Sequence, residues 1–136
     1  MSPQTQAGAV LESDFPYTAS NQTCSRSYNH PYRLMDWYYV SGYSVPSETA
    51  IKEAIYNYGP ISVTVCVGSG FQAYRGGIFN TNETSACGGS VNHAVVLTGW
   101  DDTTSPPSWV MKNSWGTSWG ESGYMRLARS LSLIHI

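Results

Sequence analysis

Hydrophobic and polar positions alternate with two different periods along this chain. Between residues 48 and 58 the apolar positions recur every three or four residues, as on one face of a helix. They are Ala50, Ile51, Ala54, Ile55 and Tyr58. Ser47 can cap the first turn, and Gly59 followed by Pro60 ends the pattern. The pattern therefore predicts one surface helix over residues 48–58.

Beyond this helix the period changes to two, which is typical of strands. In residues 61–67, ISVTVCV, apolar side chains share one face and polar ones the other. Further strands are predicted over residues 91–100, 109–113 and 124–128, with turns rich in Gly, Pro and Asp between them. One helix followed by hairpin-linked strands predicts an α+β fold with an antiparallel sheet or barrel.

The remaining segments carry weaker patterns. Residues 1–45 are rich in aromatic side chains and in Asn, Ser, Gly and Pro, which predicts loops with a short strand over 35–40. Residues 71–79 predict a compact turn, and residues 80–90 a polar loop. The tail, SLSLIHI at 130–136, is either a strand or sequence outside the domain.

Composition narrows the classes of protein. A length of 136 residues fits one domain or part of one. The net charge is −2 and no basic patch is visible, so nucleic acid is not an expected partner. No apolar run approaches the length of a membrane span, and residues 1–10 do not resemble a secretory signal. The low charged fraction, 12%, and the high aromatic fraction, 13%, are typical of many secreted proteins.

Three cysteines, Cys24, Cys66 and Cys87, form no C-x-x-C pair. Either all three are buried free thiols, or one or two have disulfide partners outside this segment. His30 and His135 have no metal-ligand spacing with His93, so neither a metal nor another cofactor is expected. The triplets beginning at Asn21 and Asn82 are glycosylation sequons, a motif that also arises by chance, and their use stays open.

Two strings combine residues that can carry proton transfer: NHAVVLTGW at 92–100 and KNSWGTSWGESGY at 112–124. Their predicted strands are joined by a short hairpin, so His93 and Asn113 can face each other. Asn113 would then fix the tautomer and angle of the imidazole, leaving the other ring nitrogen for proton transfer. Trp115 could cover this hydrogen bond and exclude water from it.

These strings resemble the histidine and asparagine segments of the papain/cathepsin family of cysteine peptidases. Other segments resemble the family in the same order, over about residues 8–129. They are ESDFPYTASNQTC, AIYNYGPISVTV and FQAYRGGIF. The resemblance implies a papain-like right lobe, with an antiparallel, barrel-like sheet and a surface helix. We therefore expect residues 1–129 to be this lobe and residues 130–136 to be a tail.

The resemblance also implies roles for individual residues. His93 matches the catalytic histidine, Asn113 the asparagine that orients it, and Trp115 and Trp119 the indoles that shield the site. The pocket for the substrate's second residue before the cleaved bond would be lined by Thr64, Asn92 and Ala94.

The chain departs from the family at the nucleophile. No Q-x-x-C-G-S-C-W segment is present, and the glutamine of the oxyanion hole is missing with it. Cys66 lies inside a β run, where a thiol is normally buried and inert. Cys24 and Cys87 match family half-cystines, whose partners are expected outside this chain. We therefore expect the right lobe of an enzyme whose left lobe supplies the thiol.

The expected function is that of a cysteine-type endopeptidase acting on peptides or proteins through a Cys–His–Asn mechanism. This chain would supply the His/Asn lobe, and it would be inactive and weakly folded alone. Its expected partner is the missing N-terminal lobe, and its expected location is a secreted or lysosome-like compartment. The alternative is a non-catalytic, papain-like binding domain, and a second alternative is a purely structural β domain.

Overall fold

A computed structural model describes residues 8–23, 27–42, 45–131 and 134–135, which leaves Cys24 outside the described residues. The chain divides into two compact units, Met1–Tyr38 and Tyr39–Ile136. Across the described residues, no helix is long and apolar enough to cross a membrane.

The first unit is built mainly of loops. Ala9 and Tyr32 form an antiparallel bridge, in which the Ala9 amide donates to the Tyr32 carbonyl at 2.8 Å. The strand predicted over residues 35–40 is wrong, because these residues adopt irregular backbone. Met35 is 98% exposed, so the alternating pattern has no buried face to cover.

The second unit contains the predicted helix and strands. The helices are α1, Glu48–Tyr58, and the short α2, Ser69–Gln72. The strands are β1, Ile61–Val65; β2, Ile78–Phe79; β3, His93–Asp101; β4, Ser108–Lys112; β5, Tyr124–Ala128; and β6, Ile134–His135. Within the predicted polar loop, residues Thr84–Cys87 form a 3-10 helix.

Helix α1 begins and ends where the sequence predicted. The Ser47 hydroxyl accepts from the Ala50 amide at 3.2 Å, which satisfies one free donor of the first turn. Gly59 has a φ of 87°, a conformation that favours glycine, and its amide closes the helix on the Ile55 carbonyl. The buried side chains of Ile51, Ala54 and Ile55 form the apolar stripe.

Within the described residues, six strands form one sheet in the order β2-β5-β4-β3-β1-β6. Neighbours are antiparallel except β2 and β5, which are parallel. The α+β class is confirmed. The sheet is open, since no pairing between its outer strands β2 and β6 occurs in the described part of the chain. Strand β6 lies in the predicted tail and pairs with β1.

The hydrophobic core lies on one face of this sheet. Alternate side chains of the four inner strands, β5, β4, β3 and β1, point into it, which is the period-two pattern predicted from sequence. The most deeply buried members are Val63, Val65, Leu97, Trp109, Met111, Met125 and Leu127. Because β3 and β4 are antiparallel neighbours, the beginning of β3 lies beside the end of β4. The two strands therefore bring His93 and Asn113 to the same end of the sheet.

Candidate active site

His93 and Asn113 continue the inward-facing series of their strands. On β3, His93 precedes the buried Val95 by two positions, and Asn113 follows the buried Met111 by two. The register pairs Val96 with Lys112, so Asn113 leaves β4 close to the start of β3. Two side chains 20 positions apart thus reach the same end of the core.

The structure brings these two side chains into contact. Nε2 of His93 lies 2.9 Å from Oδ1 of Asn113, a hydrogen-bonding distance in which the ring nitrogen is the donor. Because the proton then sits on Nε2, Nδ1 of the neutral ring carries the free lone pair. The imidazole is therefore presented as a base at Nδ1.

Asn113 is held firmly in this orientation. Its side chain belongs to a residue that is only 7% exposed, and Oδ1 also accepts from the Ser114 amide at 2.8 Å. Its backbone amide donates to the Gly123 carbonyl at 2.9 Å. Among the described residues, no group accepts from its buried Nδ2. The carboxamide is thus fixed on its oxygen side and has an unused donor on the other.

An aromatic wall, defined here as Phe71, Trp115 and Trp119, lies beside the histidine. The Trp115 and His93 rings are 5.0 Å apart between centroids, with their planes tilted by 32°. Trp115 meets Trp119 edge-on at 5.2 Å, and Trp119 stacks on Phe71 at 5.6 Å. Trp115 is 37% exposed, whereas Trp119 is buried. One side of the imidazole is therefore covered by an indole, which limits the access of water to its hydrogen bond.

The aromatic wall is anchored to helix α2. Nε1 of Trp119 donates to the Gln72 carbonyl at 3.1 Å, so the last residue of the helix fixes the indole. Phe71, on the same helix, is fully buried against it. The position of α2 therefore determines where the wall stands.

Glu83 holds the beginning of α2. Its carboxylate accepts from three backbone amides: Gly68 at 3.1 Å, Gly70 at 2.7 Å and Phe71 at 3.0 Å. A Cβ atom at Gly68 would lie 2.7 Å from the Glu83 carboxyl carbon, so only glycine permits this approach. The predicted polar loop thus reaches back and fixes the element that carries the wall.

Replacing Glu83 with glutamine is expected to lower the free energy of unfolding by about 1–3 kcal/mol, because charged hydrogen bonds to backbone amides are lost. Urea unfolding followed by near-ultraviolet circular dichroism measures this change. Glu53→Gln is the matched control, since Glu53 is exposed on α1. Equal stabilities of the two variants would contradict the anchoring role of Glu83.

A second carboxylate fixes the turn before β2. Arg126 donates to Glu121 at 2.6 and 3.0 Å, and this hydrogen bonding lowers the pKa of the Glu121 carboxyl. Glu121 also accepts from the Gly77 amide at 3.0 Å. Burial raises the pKa of Tyr74, whose hydroxyl donates to the Gly77 carbonyl at 2.6 Å. The lowered pKa keeps Glu121 ionised as an acceptor, and the raised pKa keeps the Tyr74 hydroxyl protonated as a donor.

The expected pocket residues are only partly together. Thr64 and Ala94 are register partners on β1 and β3. The Asn92 carboxamide is engaged elsewhere: it accepts from the Val67 amide at 2.9 Å and donates to the Val67 carbonyl at 3.1 Å. This side-chain pairing takes up the Val67 backbone groups, which explains why β1 ends at Val65 rather than at residue 67.

A cavity of about 430 Å³ opens next to Asn113. Its lining consists of Ser62, Ala94, Val95, Val96, Lys112, Asn113 and Ser114. Ala94 is the only one of the three expected pocket residues in this lining, while His93 lies at the neighbouring position on β3.

The pairing expected for Cys87 is wrong. Cys87 forms a disulfide with Cys66, with 2.04 Å between the sulfurs and 5.9 Å between the Cα atoms. The interpretation of Cys66 as an inert buried thiol is wrong for the same reason. The chain returns through α2 and β2, which brings the 3-10 helix beside the residue after β1. Cys24 itself lies outside the described residues, so its expected partner outside this chain stays a prediction.

Sequence reasoning missed Glu83 and the Cys66–Cys87 bond. Both Cys residues were visible, but their separation of 21 positions gives no pairing without the path of the chain between them. Glu83 looked like an ordinary residue of a polar loop. The glycines at positions 68 and 70 were the available signal, because they allow a carboxylate to approach the backbone closely.

Comparison with known proteins identifies the class to which this fold and this His–Asn pair belong. The family model described as "Papain family cysteine protease" matches residues 2–135. The chain belongs to the papain family of cysteine proteases.

Individual relatives match over part of their length. The chain is 39% identical over 129 residues to the cysteine proteinase COT44 of Brassica napus, covering 92% of this chain and 37% of that protein. The bromelain protease of Ananas comosus, solved in complex with an inhibitor, is 34% identical, with a TM-score of 0.69. The match covers 93% of this chain and 56% of the bromelain chain. Digestive procathepsin L2 of Tenebrio molitor larval midgut is 28% identical, with a TM-score of 0.74. The match covers 94% of this chain and 41% of that structure's chain.

Proposed function

We propose that this chain supplies the histidine and asparagine of a cysteine-type endopeptidase. The observation that carries the proposal is the 2.9 Å contact between Nε2 of His93 and Oδ1 of Asn113, which leaves Nδ1 as the proton-accepting atom. Family membership supports the reaction class, since the related proteins are cysteine proteases by name. The chain spans about a third to a half of the length of these relatives.

In the proposed reaction, a thiol carried by another segment of the protein gives its proton to Nδ1 of His93. The resulting thiolate attacks the peptide carbonyl, and the imidazolium protonates the leaving amine. The neutral ring then takes a proton from water, and the resulting hydroxide attacks the acyl carbon and breaks the acyl–sulfur bond. The imidazolium returns its proton to the departing thiolate, which regenerates the thiol and the neutral ring. Asn113 keeps the ring in the required tautomer throughout.

The proposed nucleophile is not one of this chain's cysteines. Cys66 and Cys87 are bonded to each other, so neither carries a thiol. Cys24 resembles a family half-cystine and belongs to no Q-x-x-C-G-S-C-W segment. We propose that the thiol comes from an N-terminal lobe and that the 136-residue chain is inactive alone.

We further propose that peptide or protein substrates bind beside His93, with Thr64, Asn92 and Ala94 lining the pocket for the second residue before the cleaved bond. Trp115 would shield the His93–Asn113 pair, and Trp119 would line the leaving-group side. A secreted or lysosome-like compartment is supported by the disulfide, because disulfides persist in oxidising compartments. The name of one relative, a digestive procathepsin of Tenebrio molitor larval midgut, agrees with a secreted location.

A two-lobe fusion tests this proposal: the N-terminal lobe of the bromelain protease joined to this chain. We expect the fusion to hydrolyse a fluorogenic peptide and the chain alone to show no turnover. Labelling with a thiol-directed probe and near-ultraviolet circular dichroism show whether the fusion has folded. A folded, labelled fusion without hydrolysis would favour a non-catalytic binding domain, and turnover by the chain alone would contradict the role of the second lobe.

A further inference from the structure

The loop between β2 and the 3-10 helix presents a sequon in a defined conformation. Asn82, the first residue of the triplet Asn82-Glu83-Thr84, is exposed. Its Oδ1 accepts from the Thr84 amide at 3.0 Å and from the Thr84 hydroxyl at 2.6 Å. Among the described residues no bond is made by its Nδ2. The carboxamide oxygen is therefore turned to the loop, and the nitrogen is left to solvent.

Two contacts made by residues that follow Asn82 hold this loop in place. Glu83 turns inward onto three backbone amides, while the neighbouring Asn82 is exposed. Five positions after Asn82, the disulfide ties Cys87 to Cys66. Folding thus exposes the acceptor nitrogen instead of burying it.

The other sequon does not share this geometry. Asn21, Gln22 and Thr23 are also exposed. Within residues 8–23, however, Thr23 does not make the two bonds to Asn21 that Thr84 makes to Asn82. Asn82 is therefore the candidate acceptor, and Asn21 provides an internal comparison.

We propose that Nδ2 of Asn82 is an acceptor of an N-linked glycan, donated by an oligosaccharide on a polyprenyl pyrophosphate. A bond forms between Nδ2 and the anomeric carbon of the sugar, while the bond from that carbon to the phosphate oxygen breaks. The pyrophosphate leaves with the electron pair, and one amide proton passes to a base of the transferase. This inference rests on the secretory location proposed above but not on catalysis.

The test uses the whole chain behind a secretion signal, translated in the presence of endoplasmic reticulum microsomes. Protection from added protease selects translocated chains, so chains that never entered the lumen are not counted. An amidase that removes N-linked glycans should increase the electrophoretic mobility of the wild-type chain. The variants Asn82→Gln and Thr84→Ala should each carry one glycan fewer, whereas Thr84→Ser should keep it.

Peptide mass assigns the modified position. Trypsin cuts after Arg75 and Lys112 and produces the peptide 76–112, which contains Asn82 and excludes Asn21. The proposal requires this peptide to carry a glycan in translocated wild-type and Asn21→Gln chains. It is overturned if the peptide is unmodified in translocated chains, or if Asn82→Gln leaves the number of glycans unchanged. Neither result bears on peptidase activity, which the two-lobe fusion tests separately.

Discussion

Replacing His93 with alanine in the two-lobe fusion is expected to lower kcat/KM on the order of 10³–10⁴-fold, the range that a positioned acid–base group contributes. Among the described residues at the beginning of β3, only this imidazole can take the thiol proton, at Nδ1, and return it to the leaving amine. Without it, the thiol is not activated and the amine leaves unprotonated. Initial rates on a fluorogenic peptide measure the effect.

His30→Ala is the matched control, because His30 lies in the other unit and its ring bonds to the Gly8 carbonyl at 2.5 Å. This variant should keep the activity of the parent fusion. Asn113→Ala should reduce activity less than His93→Ala, since it disturbs the tautomer and ring angle but leaves the base in place. If His93→Ala and His30→Ala have equal activity, the proposed role of His93 is wrong.

Loss of the Cys66–Cys87 bond is expected to have the largest effect on stability. Replacing both cysteines with serine should lower the free energy of unfolding by about 3 kcal/mol, from the entropy of a loop of about 20 residues in the unfolded chain. The closed loop contains α2, β2 and Glu83, so the aromatic wall should loosen together with it. Urea unfolding of the double variant and of the parent chain measures the change.

Thiol counting gives an independent check of the same bond. The chain has three cysteines, and two are joined, so one alkylated position is expected after denaturation without reductant and three after reduction. Mass spectrometry resolves these states. Three alkylated positions before reduction, or an unchanged unfolding free energy in the double variant, would be incompatible with this disulfide.

Local patterns were sufficient to predict most of the second unit. Helix α1 has a cap, a stripe and a stop residue, each of which acts over a few positions of the chain. The strands β3, β4 and β5 follow from alternation, from the turn at 102–107 and from the Gly-rich segment 113–123. These features depend on near neighbours in sequence, and the structure contains them at nearly the predicted bounds.

The features that sequence reasoning missed depend on contacts between distant parts of the chain. The alternation at residues 35–40 predicted a strand, but a strand also needs a partner and a face to bury. Cys87 and Glu83 acquire their partners only because α2 and β2 return the chain past the end of β1. The His93–Asn113 contact was predictable because a single short hairpin connects the two strands.

Because Nδ2 of Asn113 has no acceptor among the described residues, the docking of another segment against it would be coupled to proton transfer at His93. A buried N–H without an acceptor costs about 1–3 kcal/mol, and an oxygen atom brought against it by a docking segment would recover that cost. The same contact would oppose a flip of the carboxamide, which would otherwise exchange acceptor for donor opposite Nε2. By linkage, a docking segment that holds the Asn113 carboxamide in this orientation also favours the His93 tautomer with its proton on Nε2. That tautomer leaves Nδ1 free for proton transfer.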